Sequence, residues 1–259
     1  MIARSRPSGA PPPGTGGLAG SLPAELEGLV EKCWLLSGED CDGRGRFEVV
    51  PDSHFGIGLV LEGQRCWLTV GGPITERIQP HIGDSEIFWL RFRPGKLPRI
   101  ADLEPRDLVD KPGLRLDRIR GFDIDELGER MSEAECPQER LMILGSHFRT
   151  LGSAPLCQDR RCARILEAVD ALDGRLGVGD LAREFGMSAR TVQRLVGEQV
   201  GLTPKQLILN TRLQRTIARL RARPQGERLA DVASECGFAD QSHLIRDFRR
   251  LANRLPSAF

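Results

Sequence analysis

Two short segments of the chain carry long hydrogen-bond donors at helical spacing. They read "GMSARTVQRLV" (186–196) and "GFADQSHLIRDFRR" (237–250). At about 100° per residue, one helix face collects Arg190, Gln193 and Arg194, and the other collects Ser242, Ile245, Arg246 and Arg249. Arginine pairs with guanine and glutamine with adenine through two hydrogen bonds, and isoleucine can touch the methyl group of thymine. These side chains therefore suit the reading of base edges in the major groove of DNA.

The opposite face of each segment is apolar. It carries Val192, Leu195 and Val196 in the first segment, and Leu244, Phe248 and Leu251 in the second. Such a helix packs its apolar side on a core. Its polar side either contacts DNA or is a solvated face that binds nothing. Arg249 and Arg250 fit phosphate contacts, which fix the register without reading sequence. His243, four residues before Asp247, predicts a surface contact without chemistry.

The two segments belong to a repeat. Residues 178–204 and 229–256 align with an offset of 51 that becomes 52 after one extra residue in the second turn. The matched pairs are Ala182 with Ala233, Gly186 with Gly237, Arg194 with Arg246, and Pro204 with Pro256. A small residue where two helices cross, a glycine at the helix end and a second helix after a short turn are typical of a helix-turn-helix. Their recurrence indicates a duplicated unit, at about 178–199 and 229–252, although a plain helical hairpin shares each feature singly.

The segment between the two units, 203–224, predicts one long helix. Its apolar stripe consists of Leu207, Leu213, Ile217 and Leu220. A continuous helix would hold the two units at a fixed separation, and reading helices about 34 Å apart enter successive major grooves. One chain could then read what a helix-turn-helix dimer usually reads.

The half of the chain before residue 150 has a different pattern. From about 45 to 95, short alternating runs are broken by glycines, as strands are. In one run Phe88, Leu90 and Phe92 share a face, and Ile87, Trp89, Arg91 and Arg93 share the other. Several short strands favour a small barrel or sandwich, and residues 125–148 read as helical, interrupted near Pro137. Trp67 and Trp89 with Arg91 and Arg93 either line a pocket for an anionic or aromatic ligand or pack on an outer face.

Composition disfavours several classes of protein. No run approaches 18 apolar residues, which disfavours a membrane span. The opening "MIARSRPSGAPPPGTGG" predicts a disordered tail over residues 1–23 rather than a secretory signal. Seven cysteines at irregular spacing favour a reducing cytoplasm, and the nearest pair, Cys157 and Cys162, lacks the partners of a zinc site. The histidines are isolated, so we expect no metal and no cofactor at His54, His81, His147 or His243.

The formal net charge of +1 hides an asymmetry. Residues 159–259 hold 18 Lys and Arg against 12 Asp and Glu, a balance of +6, and the remainder holds 19 against 24, a balance of −5. Only Lys205 among those 18 basic residues is a lysine. An arginine-rich basic half suits phosphate and base contacts, although the excess is modest.

The segments "LAREFGMSARTVQRLVGEQVGLTPKQLI" and "LADVASECGFADQSHLIRDFRRLANRLPSAF" resemble the two-unit DNA-binding domain of the AraC/XylS family of transcriptional regulators. The resemblance covers residues 158–259. In that family two reading helices enter adjacent major grooves. By position this implies Arg190, Gln193 and Arg194 in the first helix, and Gln241, Ser242, Ile245 and Arg246 in the second. The segments "VVPDSHFGIGLVLEG" and "FWLRFRPGKLPRIADLEPRDLVDK" resemble, more loosely, the sensor domains that precede this domain in some members, often as cupin-like barrels, which implies such a domain over residues 24–155.

The resemblance implies an α+β fold with two domains. A small β-barrel or cupin-like domain with helices is expected over 24–155, and an all-α domain of two helix-turn-helix units joined by a long helix over 158–259. Three residues depart from the family pattern. Asn253 stands where glycine is usual but tolerates a positive φ, Arg254 replaces an apolar residue, and Gly197 weakens the first reading helix. Since the chain ends at Phe259, we expect the last helix to be short.

The function implied by these features is sequence-specific regulation of transcription, without catalytic residues. The expected partner is double-stranded promoter or operator DNA, at the nucleoid in the cytoplasm and away from any membrane. The resemblance also allows RNA polymerase, a small-molecule effector and a second copy of the chain as partners. One alternative is a DNA-repair enzyme that transfers alkyl groups onto cysteine, but no two cysteines here have the spacing of its zinc cluster. The other is a protein-interaction module, which would not need arginines on both reading helices.

Overall fold

The computed structural model describes residues 22–37, 41, 45–63, 65–97, 103–116, 123–150, 159–224 and 226–259. Most of the predicted N-terminal tail, residues 1–21, lies outside the described residues. So do residues 151–158, which include Cys157 and most of the predicted boundary between the two halves. The described chain has an α+β architecture, with its sheet in the N-terminal part and its longest helix in the C-terminal part.

Five strands form one antiparallel sheet. They are β1 (Val30–Leu36), β2 (Gly56–Glu62), β3 (Arg65–Gly71), β4 (Glu86–Phe92) and β5 (Leu114–Leu116). The order across the sheet is β1-β4-β2-β3-β5, and the register pairs Trp34 with Trp89, Trp89 with Gly58, and Gly58 with Thr69. Within the described residues β1 and β5 lie at opposite edges and do not pair, so the sheet is open and the predicted closed barrel is not confirmed.

One face of the sheet forms the core of the N-terminal domain. Phe88, Leu90 and Phe92 of β4 are buried on this face, as the alternation of that run predicted. Three helices cover it: α1 (Ala24–Glu27), α2 (Ile124–Glu133) and α3 (Pro137–Thr150). Helices α2 and α3 correspond to the interrupted helical segment predicted over 125–148. Pro137 is the first residue of α3, where the missing N–H of proline costs no hydrogen bond within the helix.

The other face of the sheet lies against a ribbon formed by residues 45–55 and 72–85, which we call the covering ribbon. Isolated bridges join its two arms, from Arg46 to His81, from Val49 to Ile78 and from Asp52 to Ile74. The covering ribbon and the sheet enclose a cavity of about 500 Å³. Because its arms are joined by single bridges rather than a regular ladder, this second layer leaves little trace in the sequence pattern.

Six α-helices make up the described part of the C-terminal domain. They are α4 (Arg160–Ala171), α5 (Val178–Glu184), α6 (Ala189–Val200), α7 (Pro204–Arg221), α8 (Leu229–Glu235) and α9 (Gln241–Ala252). The first helical core joins α4, α5 and α6, and the second helical core joins α8 and α9. A single 3-10 turn at Pro256–Ala258 follows, in agreement with the short last helix expected. None of the described helices combines the length and apolar character that crossing a membrane requires.

The long helix α7 belongs to both helical cores. It starts at a capping box, in which Thr203 accepts from the N–H of Gln206 at 3.2 Å. Leu207 lies in the first helical core, and Leu213 and Ile217 lie in the second. The predicted apolar stripe is therefore buried, and the predicted continuous helix spans 18 residues, or about 27 Å.

A polar side of α7 contacts the N-terminal domain. The side-chain amide of Asn210 donates to the carbonyl of Ile74 at 3.0 Å, and that of Gln214 donates to the carbonyl of Pro51 at 2.7 Å. Both amides are buried, where a polar group needs such a partner. The covering ribbon therefore holds the same helix that connects the two helical cores.

Candidate nucleic-acid interface

Helix α6 begins at a tight turn after α5. Gly186 has a φ of +59°, the left-handed conformation that glycine tolerates at the end of a helix. The N–H of Met187 donates to the carbonyl of Ala182 at 2.8 Å, which closes the end of α5. Ser188 then caps α6 by accepting from the N–H of Thr191 at 3.1 Å. The direction of α6 is therefore set by the short turn itself.

The turn before α9 repeats this geometry with one residue more. Gly237 has a φ of +76°, and the N–H of Phe238 donates to the carbonyl of Ala233 at 2.9 Å. Ala239 is the additional residue, after which Asp240 caps α9 by accepting from the N–H of His243 at 2.7 Å. These equivalent bonds support the duplication inferred from the sequence.

The inner faces of α6 and α9 are packed in the two helical cores. The buried residues are Val192, Leu195 and Val196 on α6, and Leu244 and Phe248 on α9. The ring of Phe248 also meets that of Phe259 edge-on, with 5.7 Å between centroids. The packing side predicted for each helix is therefore confirmed, and it orients the opposite side toward solvent.

The outer faces carry the residues predicted to contact DNA. Exposed side chains are Arg190, Gln193 and Arg194 on α6, and Gln241, Ser242, Arg246, Arg249 and Arg250 on α9. Ile245 is half-buried, because it lies at the border between the two faces of its helix. It can therefore present only part of its side chain to a base.

Ion pairs engage some of these arginines. Nη1 of Arg194 lies 2.8 Å from Oε2 of Glu198, and both side chains are about half exposed. Exposed pairs of this kind contribute about 0–1 kcal/mol, so a phosphate or a base can replace the Glu198 carboxylate. Arg250 pairs with Asp247 at 3.2 Å, but this carboxylate is buried and also lies 3.5 Å from Nε2 of His243. Arg246 forms no ion pair with any described residue, which leaves its guanidinium group available to a ligand.

Gly197, which was predicted to weaken α6, offers a way to stabilise the helix. Helix α6 runs through it without interruption, and no atom lies within 4 Å of the position its Cβ would take. We expect Gly197→Ala to raise the free energy of unfolding by about 0.5–1 kcal/mol, because alanine loses less backbone freedom in a helix. Thermal denaturation measures the change. The matched control, Gly186→Ala, should destabilise the protein because its φ is +59°, and a destabilised Gly197→Ala would contradict the prediction.

The two unusual residues near the end of the chain have structural roles. Asn253 ends α9 with a φ of +48°, so it does adopt the left-handed conformation that glycine would supply. Nη2 of Arg254 lies 2.6 Å from Oε2 of Glu48, a buried carboxylate of the covering ribbon. Arg77 pairs with the other oxygen of Glu48 at 2.7 Å. Arg254 is thus an ion-pair contact between the C-terminal domain and the N-terminal domain.

The cavity of the N-terminal domain contains three of the four predicted ligand-binding candidates. Trp67, Trp89 and Arg91 line it. Arg93 does not line it; its side chain is exposed, and its Nε donates to the carbonyl of Glu27 at 3.1 Å. Of the two alternatives that the sequence left open, lining a pocket is the one that the structure shows for these three side chains. That a ligand binds there stays a prediction.

A charged cluster lies in the wall of this cavity. The buried Arg91 places Nε 3.1 Å from Oε2 of Glu31 and Nη1 3.0 Å from Oδ2 of Asp52. His54 completes the cluster, with Nδ1 2.7 Å from Oδ1 of Asp52. Burial by itself raises the pKa of both carboxyl groups, but Arg91 and His54 outweigh it and hold the pKa of each below its usual range. Both carboxylates are therefore ionised, and the charges of the cluster stabilise one another.

The described cysteines and histidines do not assemble into a metal centre. Within the described residues, no group of three or more His, Cys, Asp or Glu side chains could hold a metal ion. Burial raises the pKa of the Cys33 thiol to about 12 and that of the Cys66 thiol to about 11. Both thiols are consequently protonated near neutral pH and are poor nucleophiles. Nε2 of His243 lies 3.5 Å from Oδ2 of Asp247; this contact was predicted at the surface, but Asp247 is buried.

The residues that join the two domains were not predicted from the sequence. Asn210 and Gln214 lie four residues apart and so share one face of α7, and at 100° per residue this face falls between Ile217 and Leu207 of the apolar stripe. The signal that could have found them is a pair of side-chain amides at positions of the apolar face of a long helix. Such amides need a partner when they are buried.

Comparisons with known proteins match the C-terminal part of the chain. A family model described as "Helix-turn-helix domain" matches residues 181–259. The HTH-type transcriptional activator RhaS of Klebsiella pneumoniae is 38% identical over 71 residues, which are 27% of this chain and 25% of that protein. RhaS of Escherichia coli is 37% identical over 76 residues, which are 29% of this chain and 27% of that protein. The chain therefore matches about a quarter of the length of these curated relatives.

Comparisons with solved structures of ToxT extend over most of the chain. A ToxT variant without ligand, from Vibrio cholerae, aligns with a TM-score of 0.49 and 14% sequence identity. The alignment covers 88% of this chain and 95% of that chain.

Proposed function

We propose that this chain is a sequence-specific regulator of transcription of the AraC/XylS family, which its helix-turn-helix units resemble. The observation that carries the proposal is the pair of exposed donor faces on α6 and α9, each presented by an equivalent turn. Long donors on an exposed helix are suited to base edges in a major groove. The likeness of this domain to RhaS, a transcriptional activator by name, supports the same conclusion.

The two helices read two adjacent major grooves on one side of the duplex. Helix α7 is buried in both helical cores, so it spaces α6 and α9 at a constant distance. Reading helices about 34 Å apart fit successive turns of B-DNA. The first groove is read by Arg190, Gln193 and Arg194, and the second by Gln241, Ser242, Ile245 and Arg246.

Footprinting of the purified protein on its own genomic DNA tests this function. We expect protection in two blocks, centred about 10 base pairs apart on the same side of the duplex. Protection of a single block would contradict the two-groove arrangement. Retention of no fragment at all would contradict DNA binding and favour a protein-interaction module.

Arg249 and Arg250 contact phosphates at the end of α9. Each contact releases counterions, so we expect Arg249→Ala and Arg250→Ala each to lower the slope of log affinity against log salt by about one. Binding titrations at a series of salt concentrations measure the slope. Arg130→Ala, which removes an exposed arginine of α2, is the matched control and should leave the slope unchanged. A loss confined to one base pair would instead assign either residue to base reading.

The N-terminal domain controls the DNA-binding domain. Support comes from its cavity and from the buried hydrogen bonds that join the covering ribbon to α7. A small molecule in the cavity is the effector, with the sheet and the covering ribbon acting as a barrel-like sensor. The protein acts at the nucleoid without catalysis, and RNA polymerase and a second copy of the chain are its further partners.

A further inference from the structure

All three tryptophans of the chain line one cavity. The sheet register explains why: Trp34 and Trp89 are direct cross-strand partners, and Trp67 lies in the next row of the same face, opposite Val60. The volume of about 500 Å³ falls in the range of small-molecule sites. An apolar wall with three indoles favours an aromatic occupant.

The ring of Trp89 lies flat over three glycines of β2 and β3. A Cβ would come within 2.3 Å of the ring at Gly56, 2.9 Å at Gly58 and 2.5 Å at Gly71. Any larger residue at these positions would displace the indole, so the glycines allow it to rest on the backbone. The side chain is half-buried and lines the cavity. A flat, accessible indole is a stacking surface for a planar ring.

The charged groups that line the cavity are already paired. Two carboxylates balance the charge of Arg91, because its Nε lies 3.1 Å from Oε2 of Glu31 and its Nη1 lies 3.0 Å from Oδ2 of Asp52. The hydroxyl of Thr69 donates to a backbone carbonyl at 3.3 Å. An anionic ligand would have to displace carboxylates from Arg91, and the Thr69 hydroxyl is already engaged, although Ser85 and His81 also line the cavity. The lining therefore favours a neutral molecule over an anion or a sugar.

Gln214 of α7 also lines the cavity. Its Nε2 donates to the carbonyl of Pro51 at 2.7 Å, and no described residue hydrogen-bonds its Oε1. A ligand that carries a hydroxyl or an N–H group can donate to this oxygen. Because α7 is packed in both helical cores, a molecule held by Gln214 acts on the element that spaces α6 and α9.

We propose that the cavity binds a neutral, planar aromatic molecule that stacks on Trp89 and donates a hydrogen bond to Gln214, and that this contact changes the affinity for DNA. The choice of ligand class depends on the cavity alone. The effect on DNA rests on the proposed function.

The test of the ligand class uses 2-naphthol as the probe and the full chain. Because the protein has three tryptophans, all in the cavity, and no tyrosine, its intrinsic fluorescence reports on the cavity directly. We expect 2-naphthol to change this fluorescence saturably and to give a matching affinity by calorimetry. We expect 2-naphthoate, decanoate and glucose to bind roughly tenfold more weakly or not at all. Equal or tighter binding of any of these three would overturn the proposed ligand class.

Two substitutions locate the probe. Trp89→Leu should lower the affinity for 2-naphthol roughly tenfold, because it removes the stacking surface. Val60→Phe narrows the cavity from the neighbouring row and gives an independent test if Trp89→Leu does not fold, which circular dichroism shows. Arg93→Ala, outside the cavity, is the control and should bind the probe normally. Normal binding by both cavity variants would overturn the proposal.

Gln214→Leu tests the coupling to DNA. In the unmodified protein, 2-naphthol should shift the Kd for the footprinted DNA by about fivefold or more. Gln214→Leu should bind the same DNA without that shift. If 2-naphthol does not change the Kd for DNA, the proposed coupling is wrong and the proposed function stays intact. Probe binding by a protein that retains no DNA would overturn the proposed function and leave the ligand class intact.

Discussion

Replacing Arg246 by alanine should weaken binding to the target DNA by about 1–3 kcal/mol and relax the preference at one base pair. Arg246 is exposed on the outer face of α9 and has no ion-pair partner among the described residues, so its guanidinium group is free to bond a guanine edge. Titration of the footprinted sequence and of its single-base variants, at one salt concentration, measures both effects. Arg194→Ala should also weaken binding and relax the preference at one base pair, in the other groove.

The control for Arg246→Ala is Arg130→Ala, which removes the same charge from an exposed site on α2. It should leave the affinity and the base preference nearly unchanged. If Arg246→Ala weakens binding to every sequence equally, Arg246 contacts a phosphate rather than a base. Arg194 should show a smaller effect than Arg246, because breaking its pair with Glu198 offsets part of what the DNA contact contributes.

The outer faces of α6 and α9 could be predicted from the sequence because helical periodicity is a local property. The apolar positions Val192, Leu195 and Val196 fix one side of α6, and the donors on the other side follow. The repeat then doubles the evidence, since a glycine with positive φ is needed at Gly186 and again at Gly237. Periodicity alone does not assign Ile245 to the buried or the exposed face of α9, because this residue lies at the border between them.

The contacts between the domains could not be predicted in this way, because they join residues far apart in the chain. Arg254 pairs with Glu48, and Gln214 bonds the carbonyl of Pro51. No periodicity links these partners. The order of the strands is non-local for the same reason, since β4 lies between β1 and β2. Alternation predicts which face of a strand is buried, but it does not predict which strands lie beside it. The cavity lies between the sheet and the covering ribbon. From the sequence, a pocket was therefore only one of two alternatives, the other being packing on an outer face.

Replacing Arg91 by methionine should lower the free energy of unfolding by about 3 kcal/mol near neutral pH. The substitution keeps an apolar stem of similar length but leaves Glu31 and Asp52 without their main countercharge in a largely buried site. Removing one partner of a buried ion pair costs about 3–5 kcal/mol. Lys32 and His54 still lie beside the carboxylates, so the lower end of that range applies. Chemical denaturation measures the loss.

The loss of stability caused by Arg91→Met should become smaller as the pH falls. In the unmodified protein Arg91 holds the pKa of Glu31 and of Asp52 below the usual range, so their contribution to stability is complete above the ordinary carboxyl pKa and declines as the pH drops below it. In Arg91→Met, burial dominates and raises both pKa values. The folded variant then takes up protons more readily than its unfolded chain and regains stability toward about pH 4.

The difference in stability between the two proteins is therefore the quantity to follow, with denaturation curves at neutral pH and near about pH 4. Arg93→Met is the matched control, because Arg93 lies two residues further along the same strand region but is exposed. It should cost little at either pH. An equal loss at both pH values in Arg91→Met would mean that packing, rather than unpaired buried carboxylates, accounts for the role of Arg91. In that case the charged cluster would not be what holds the wall of the cavity together.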